Sequence, residues 1–171
     1  MKKITKKNKK AVSGIIATVI MIGLVIGVTA IVWAVINNLI GKEISSSQSC
    51  FGNFGKVTLN KKYTCIDTAL GEAHVSLSVG DVRIDSVLMA FSGASASKSF
   101  ELKDGSNFSY VKSYSGSYSG TLSLPEKNSG ITYIVDLSGL GVSDASSLKI
   151  SPIIEGTQCE VSDSISELGS C

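Results

Sequence analysis

The chain has 171 residues, with 16 Lys and Arg against 14 Asp and Glu, one histidine and four cysteines. The formal charge of +2 averages two unlike regions: six lysines fall within the first ten residues, and the remainder carries 10 − 14 = −4. Cations gathered in one short tag exclude a nucleic-acid-binding body. With a membrane-length segment set aside, about 130 residues remain, enough for one modest core.

Residues 1–11 read as a basic leader, and residues 11–40 contain no charge. Loops rich in lysine stay on the cytoplasmic side, so the layout predicts an N-terminus inside, a membrane-length helix and an exported remainder. A helix over residues 12–40 would reach roughly 44 Å, against a hydrocarbon core of about 30 Å. Gly23, Gly27, Ala30 and Ala34 recur at steps of four, three and four, a stripe that permits close approach of a neighbouring helix; Gly23 to Gly27 is a GxxxG. Many other positions are Ile or Val, poor helix formers in water but suited to an apolar surround. Trp33 fits an interfacial anchor. Two alternatives stand beside a processed assembly helix. A secretory signal peptide cut after Val28-Thr29-Ala30 would need an apolar run about half as long. A permanent single-span anchor has the same topology, and processing separates it from the others.

At the junction the sequence reads Lys9-Lys10-Ala11-Val12-Ser13-Gly14-Ile15-Ile16-Ala17. This resembles the N-terminus of archaeal type IV pilins and archaellin-like subunits, with a class III signal peptide and an opening similar to AVSPIIATVILI. Gly14 stands where Pro is common. The resemblance implies cleavage between Ala11 and Val12 by a prepilin peptidase, with Lys10 in the basic position and Ala11 in the small one. Ile16 occupies the fifth position after the cut, where bacterial type IV pilins carry Glu, which favours the archaeal branch. The segments SGASASKSFELK, LSLPEKNSGITYIVDLSGL and KISPIIEGTQCEVSD resemble surface-exposed heads carried on such helices.

Residues 41–49 (GKEISSSQS) read as a polar joint, and residues 50–171 as a β-rich extracellular head. Eight strands are expected, at 56–60, 73–79, 82–91, 98–102, 108–111, 118–124, 131–137 and 148–154, separated by turn chemistry such as Asp104-Gly105. The fold class is therefore α+β: a long hydrophobic N-terminal helix followed by an antiparallel, sandwich-like head. Segments 93–97 and 113–120 read as exposed loops. Cys50, Cys65, Cys159 and Cys171 all lie in the head, and an even number there reads as two disulfides. Spacing favours the local pairs Cys50–Cys65 and Cys159–Cys171, although four cysteines allow three pairings. Neither spacing forms a metal knuckle, so no metal ligand set is read from it.

No catalytic constellation or cofactor motif is legible. His74 lies on the polar face of a strand pattern, without a nucleophile elbow or an Asp partner. Asp81, Arg83 and Asp85 alternate as a solvated charge row. Tyr110, Tyr114 and Tyr118 read as loop aromatics. Asn107-Phe108-Ser109 is an N-glycosylation sequon. The reading is thus a structural subunit of a pilus-like surface filament, a homo-oligomer built through the N-terminal helix, with adhesion ranked ahead of motility. Its partners would be prepilin peptidase, the pilus assembly machinery and the membrane before assembly, with no nucleic acid. The alternative is a membrane-anchored extracellular binding protein or minor pilin outside the bulk filament.

Overall fold

The computed structural model describes residues 9–171, with side chains at 14–38 and 50–171. The chain divides into two compact units, Met1–Ser45 and Ser46–Cys171.

The first helix, α1 (Lys9–Phe51), contains the whole apolar run. Residues 41–49, expected as a joint, fall within it, and their side chains lie outside the described residues. No proline interrupts this stretch, so nothing in the backbone forces the helix to end.

The second unit holds ten strands: β1 (Val57–Leu59), β2 (Cys65–Asp67), β3 (Glu72–Val79), β4 (Ser86–Gly93), β5 (Ser97–Lys103), β6 (Val111–Ser113), β7 (Ser129–Asp136), β8 (Ala145–Ile154), β9 (Thr157–Gln158) and β10 (Asp163–Ile165). They form two five-stranded antiparallel sheets. One has the order β1-β3-β7-β6 with β2 also on β3; the other has β10-β8-β4-β5 with β9 also on β8. The architecture is α+β, as the patterning predicts.

Strict alternation in β3 buries Ala73, Val75, Leu77 and Val79 and leaves His74, Ser76 and Ser78 half-buried, the period-two pattern of a strand with one face on a core. That core is a single cluster fed by both sheets, with Val75, Leu77 and Tyr133 from the first and Val87, Met89, Phe91, Leu148 and Ile150 from the second. Edge strands β1 and β10 approach each other through side chains. Leu59 N–H donates to Asp163 Oδ2 at 2.9 Å, and Ser162 Oγ donates to the Val57 carbonyl.

Four expected strands change character; of residues 108–111 only Val111 lies in a strand, β6, and Phe108 meets it across a tight turn as an isolated bridge. Residues 82–84 lie outside any strand and Asp85 makes a single backbone bond, its N–H donating to the Ile153 carbonyl at 2.9 Å, although Val82 and Ile84 are buried and Asp81, Arg83 and Asp85 exposed. Residues 118–124 form no ladder: Ser119 has φ +60, and the Leu122 N–H is satisfied by the Ser106 carbonyl at 2.9 Å. The run 131–137 ends one residue early because Asp136 caps a short helix, α2 (Leu137–Leu140), by accepting from the Ser138 N–H; Gly141 closes it at φ +86.

Candidate functional site

Among the described residues three places are candidates for function: the apolar part of α1, the two disulfides, and a polar cluster on the sheet containing β3.

Between Gly14 and Asn38 α1 is 25 residues long, roughly 37 Å, and its side chains are exposed among the described residues. Ile15, Ile22, Leu24, Ile31 and Val35 are all exposed, and Trp33 is 67% exposed. These side chains lie all round the helix, so no single face is reserved for solvent. The two threonines turn inward on their own backbone. Thr18 Oγ1 donates to the Ile15 carbonyl at 2.8 Å, and Thr29 Oγ1 donates to the Val25 and Ile26 carbonyls at 3.0 and 2.9 Å. A hydroxyl bonded in this way presents no unsatisfied donor to an apolar neighbour. A Cβ added at Gly23 or Gly27 would meet nothing within 4 Å, so nothing in the described chain requires glycine there. Ala30 and Ala34 continue the stripe on the same exposed helix. The expected cleavage residues Lys10, Ala11 and Val12 have side chains outside the described residues.

The cysteine pairing expected from spacing is overturned. Cys50 is bonded to Cys159 and Cys65 to Cys171, across 109 and 106 residues of sequence. Topology decides this. Cys159 N–H donates to the Pro152 carbonyl at 2.9 Å, which sets Cys159 beside β8. Cys65 opens β2, and the last residues run along that strand: Ile66 N–H donates to the Gly169 carbonyl at 2.8 Å, and Cys171 N–H donates to the Ile66 carbonyl at 3.0 Å. Beside the Cys50–Cys159 bridge lies an open groove lined by Phe51, Phe54, Pro152 and Ile154. Phe51 is 89% and Phe54 72% exposed.

On the sheet containing β3, Glu72 accepts from Lys112 Nζ at 3.0 Å and from the Tyr118 hydroxyl. Lys112 Nζ also sits 4.3 Å from the centre of the Tyr118 ring, within cation–π range. The Tyr118 hydrogen bond, more than Lys112, holds the Glu72 carboxyl below its usual range. Burial, and then the hydrogen bond to Glu72, push the Tyr118 phenol well above its own. The tyrosines expected as loop aromatics therefore divide. Tyr118 is pinned to the sheet, Tyr110 packs against the core, and Tyr114 is exposed and meets His74 edge-on at 6.2 Å. His74 is half-buried rather than fully exposed. Lys127 pairs with the exposed Asp81 at 3.2 Å, and Asp85 Oδ2 accepts from the Gly156 N–H at 2.8 Å. Asn107 is exposed, and its Nδ2 donates to the Ser119 carbonyl.

The disulfide connectivity, the half-buried surroundings of His74 and the Glu72 cluster were not read from the sequence. All depend on register between segments far apart in the chain. No protein-family model, curated protein or solved structure matches this chain.

Proposed function

We propose that this chain is a structural subunit of an archaeal type IV pilus-like surface filament that polymerises through α1 for adhesion or surface attachment. The observation that carries the reading is an uncharged helix of membrane length, apolar all round, with its threonine hydroxyls returned to its own backbone. Such a surface is stable only against lipid or other apolar helices. Removal of the basic leader between Ala11 and Val12 frees it from the cytoplasmic face, and copies then exchange lipid neighbours for one another. Gly23, Gly27, Ala30 and Ala34 give the backbones room to approach. One heterologous interface, repeated, extends the filament without closure.

The head, with its two sheets stacked as a sandwich, faces outside, where an oxidising setting keeps both disulfides. Asn107 carries a glycan in this reading. Its Nδ2 retains one hydrogen after modification, sufficient to keep the bond to the Ser119 carbonyl.

The test is expression with the native peptidase and export machinery, followed by N-terminal sequencing and electron microscopy of the cell surface. A mature chain starting at Val12, found in fibres, is expected. Isolated molecules that keep the leader would overturn the proposal in favour of a fixed anchor, and a start at Ile31 would indicate ordinary secretion.

A further inference from the structure

Among the described residues one set of three metal-ligating side chains converges from separate parts of the chain: Cys65, His74 and Cys171, with all ligand atoms within 4.8 Å of one another. Cys65 and His74 are direct partners in the β2–β3 register, so their side chains share a face of the sheet. Cys171 is brought there by backbone bonds to both sides of Ile66. Those bonds are made by backbone atoms and do not pass through the sulfurs. His74 is the only histidine of the chain. Cys65 and His74 are half-buried and Cys171 exposed, which gives an ion an open approach.

We propose that, while Cys65 and Cys171 are still thiols, they and His74 bind one zinc-class divalent ion, and that closing the disulfide expels it. Two thiolates and a neutral imidazole suit zinc, with water in the fourth tetrahedral position. The thiolates would stand about 3.8 Å apart around such an ion, a separation that side-chain rotation reaches from Cα atoms 5.1 Å apart. Binding releases the two thiol protons as the sulfurs ligate. Oxidation then removes two electrons from the thiolate pair to a disulfide oxidant, which takes up two protons from solvent and becomes a dithiol; the Sγ–Sγ bond forms and the ion leaves with only His74 to hold it. The consequence is directional. Cys50 lies much closer to Cys65 in sequence than Cys171 does, and an ion shared by Cys65 and Cys171 keeps that local mispairing from forming.

The test uses the detergent-solubilised full chain carrying Cys50→Ser and Cys159→Ser, reduced by a phosphine without oxygen and titrated with Co2+. One Co2+ per chain, with thiolate-to-cobalt charge-transfer absorption lost on adding one equivalent of Zn2+, is expected. His74→Ala in that background should weaken binding by more than about tenfold, since even outer-shell losses cost that much. Absence of the charge-transfer band, or equal affinity in H74A, overturns the proposal. Because the substituted chain can lose its fold, the reduced chain with all four cysteines supplies a second measurement. With stoichiometric Zn2+, Cys65 and Cys171 should alkylate more slowly than Cys50 and Cys159. Equal rates at all four overturn it too, whatever the filament reading proves to be.

Discussion

Glu72 stands where three side chains far apart in sequence meet, and its energetics follow from what each contributes. Lys112 and Tyr118 both donate to it on a largely shielded patch of sheet. Glu72→Gln removes the charge while keeping the shape, and leaves Lys112 without its ion pair. A loss of about 1–2 kcal/mol at neutral pH is expected from chemical denaturation. The folded-state pKa of Glu72 lies below its unfolded value of 4.5, so its stabilisation is complete above that value and disappears as pH falls through the folded pKa. Between neutral pH and pH 4.5 the E72Q deficit should therefore stay constant, and it should vanish under stronger acid. A deficit that persists unchanged in strong acid would assign it to packing instead. At this scale the sequence was informative about faces and silent about neighbours. The alternation around Val75 and Leu77 placed His74 on the polar side of its strand, but nothing near His74 in the chain announces Tyr114, Cys65 or Cys171 beside it.

Elements were legible where one pattern ran long enough to outweigh its surroundings. The charge-free stretch gave α1, and the alternation of residues 73–79 gave β3. The three-residue strands β2 and β10 and the two-residue β9 carry too few positions for any period to register. Residues 82–84 and 118–124 alternate like strands because Val82, Ile84 and Leu122 do enter the core, yet neither run forms a ladder with a neighbouring strand. Burial needs only alternate side chains; a ladder also needs a partner backbone. The prediction that belongs to α1 concerns Gly23→Leu and Gly27→Leu. At neither position would a Cβ meet another element of the described residues within 4 Å, so the melting temperature of the head should shift by no more than about two degrees, as for substitutions clear of packed sites. Close helix approach would be blocked, and fibres counted by electron microscopy should be lost or greatly reduced. Normal fibres from both variants would show that this stripe is not the packing surface.

For the whole molecule the two disulfides interleave: the Cys65–Cys171 loop opens inside the Cys50–Cys159 loop and ends beyond it. A loop of this length restricts the unfolded chain by about 4.7 kcal/mol in the chain-entropy treatment, more than the short local loops would supply. Cys50→Ser with Cys159→Ser should therefore destabilise the head by about 2–5 kcal/mol in denaturant titrations. Proteolysis without reduction should release linked peptides containing Cys50 with Cys159 and Cys65 with Cys171. Recovery of a Cys50–Cys65 peptide as the main product would contradict the topology described.

What the sequence determined alone was whatever depends on composition and local period: a basic tag ahead of an uncharged helix, an acidic strand-rich body, an even set of cysteines and the inward face of the longer strands. Tertiary structure decided everything set by register between distant segments. That includes which cysteines meet, which tyrosines are pinned and the company His74 keeps. The physical reason is that hydrophobic burial is non-directional and can be read from a stretch of chain, whereas a disulfide, an ion pair or a ligand set needs a few atoms brought within ångströms, and only the assembled tertiary fold brings them there.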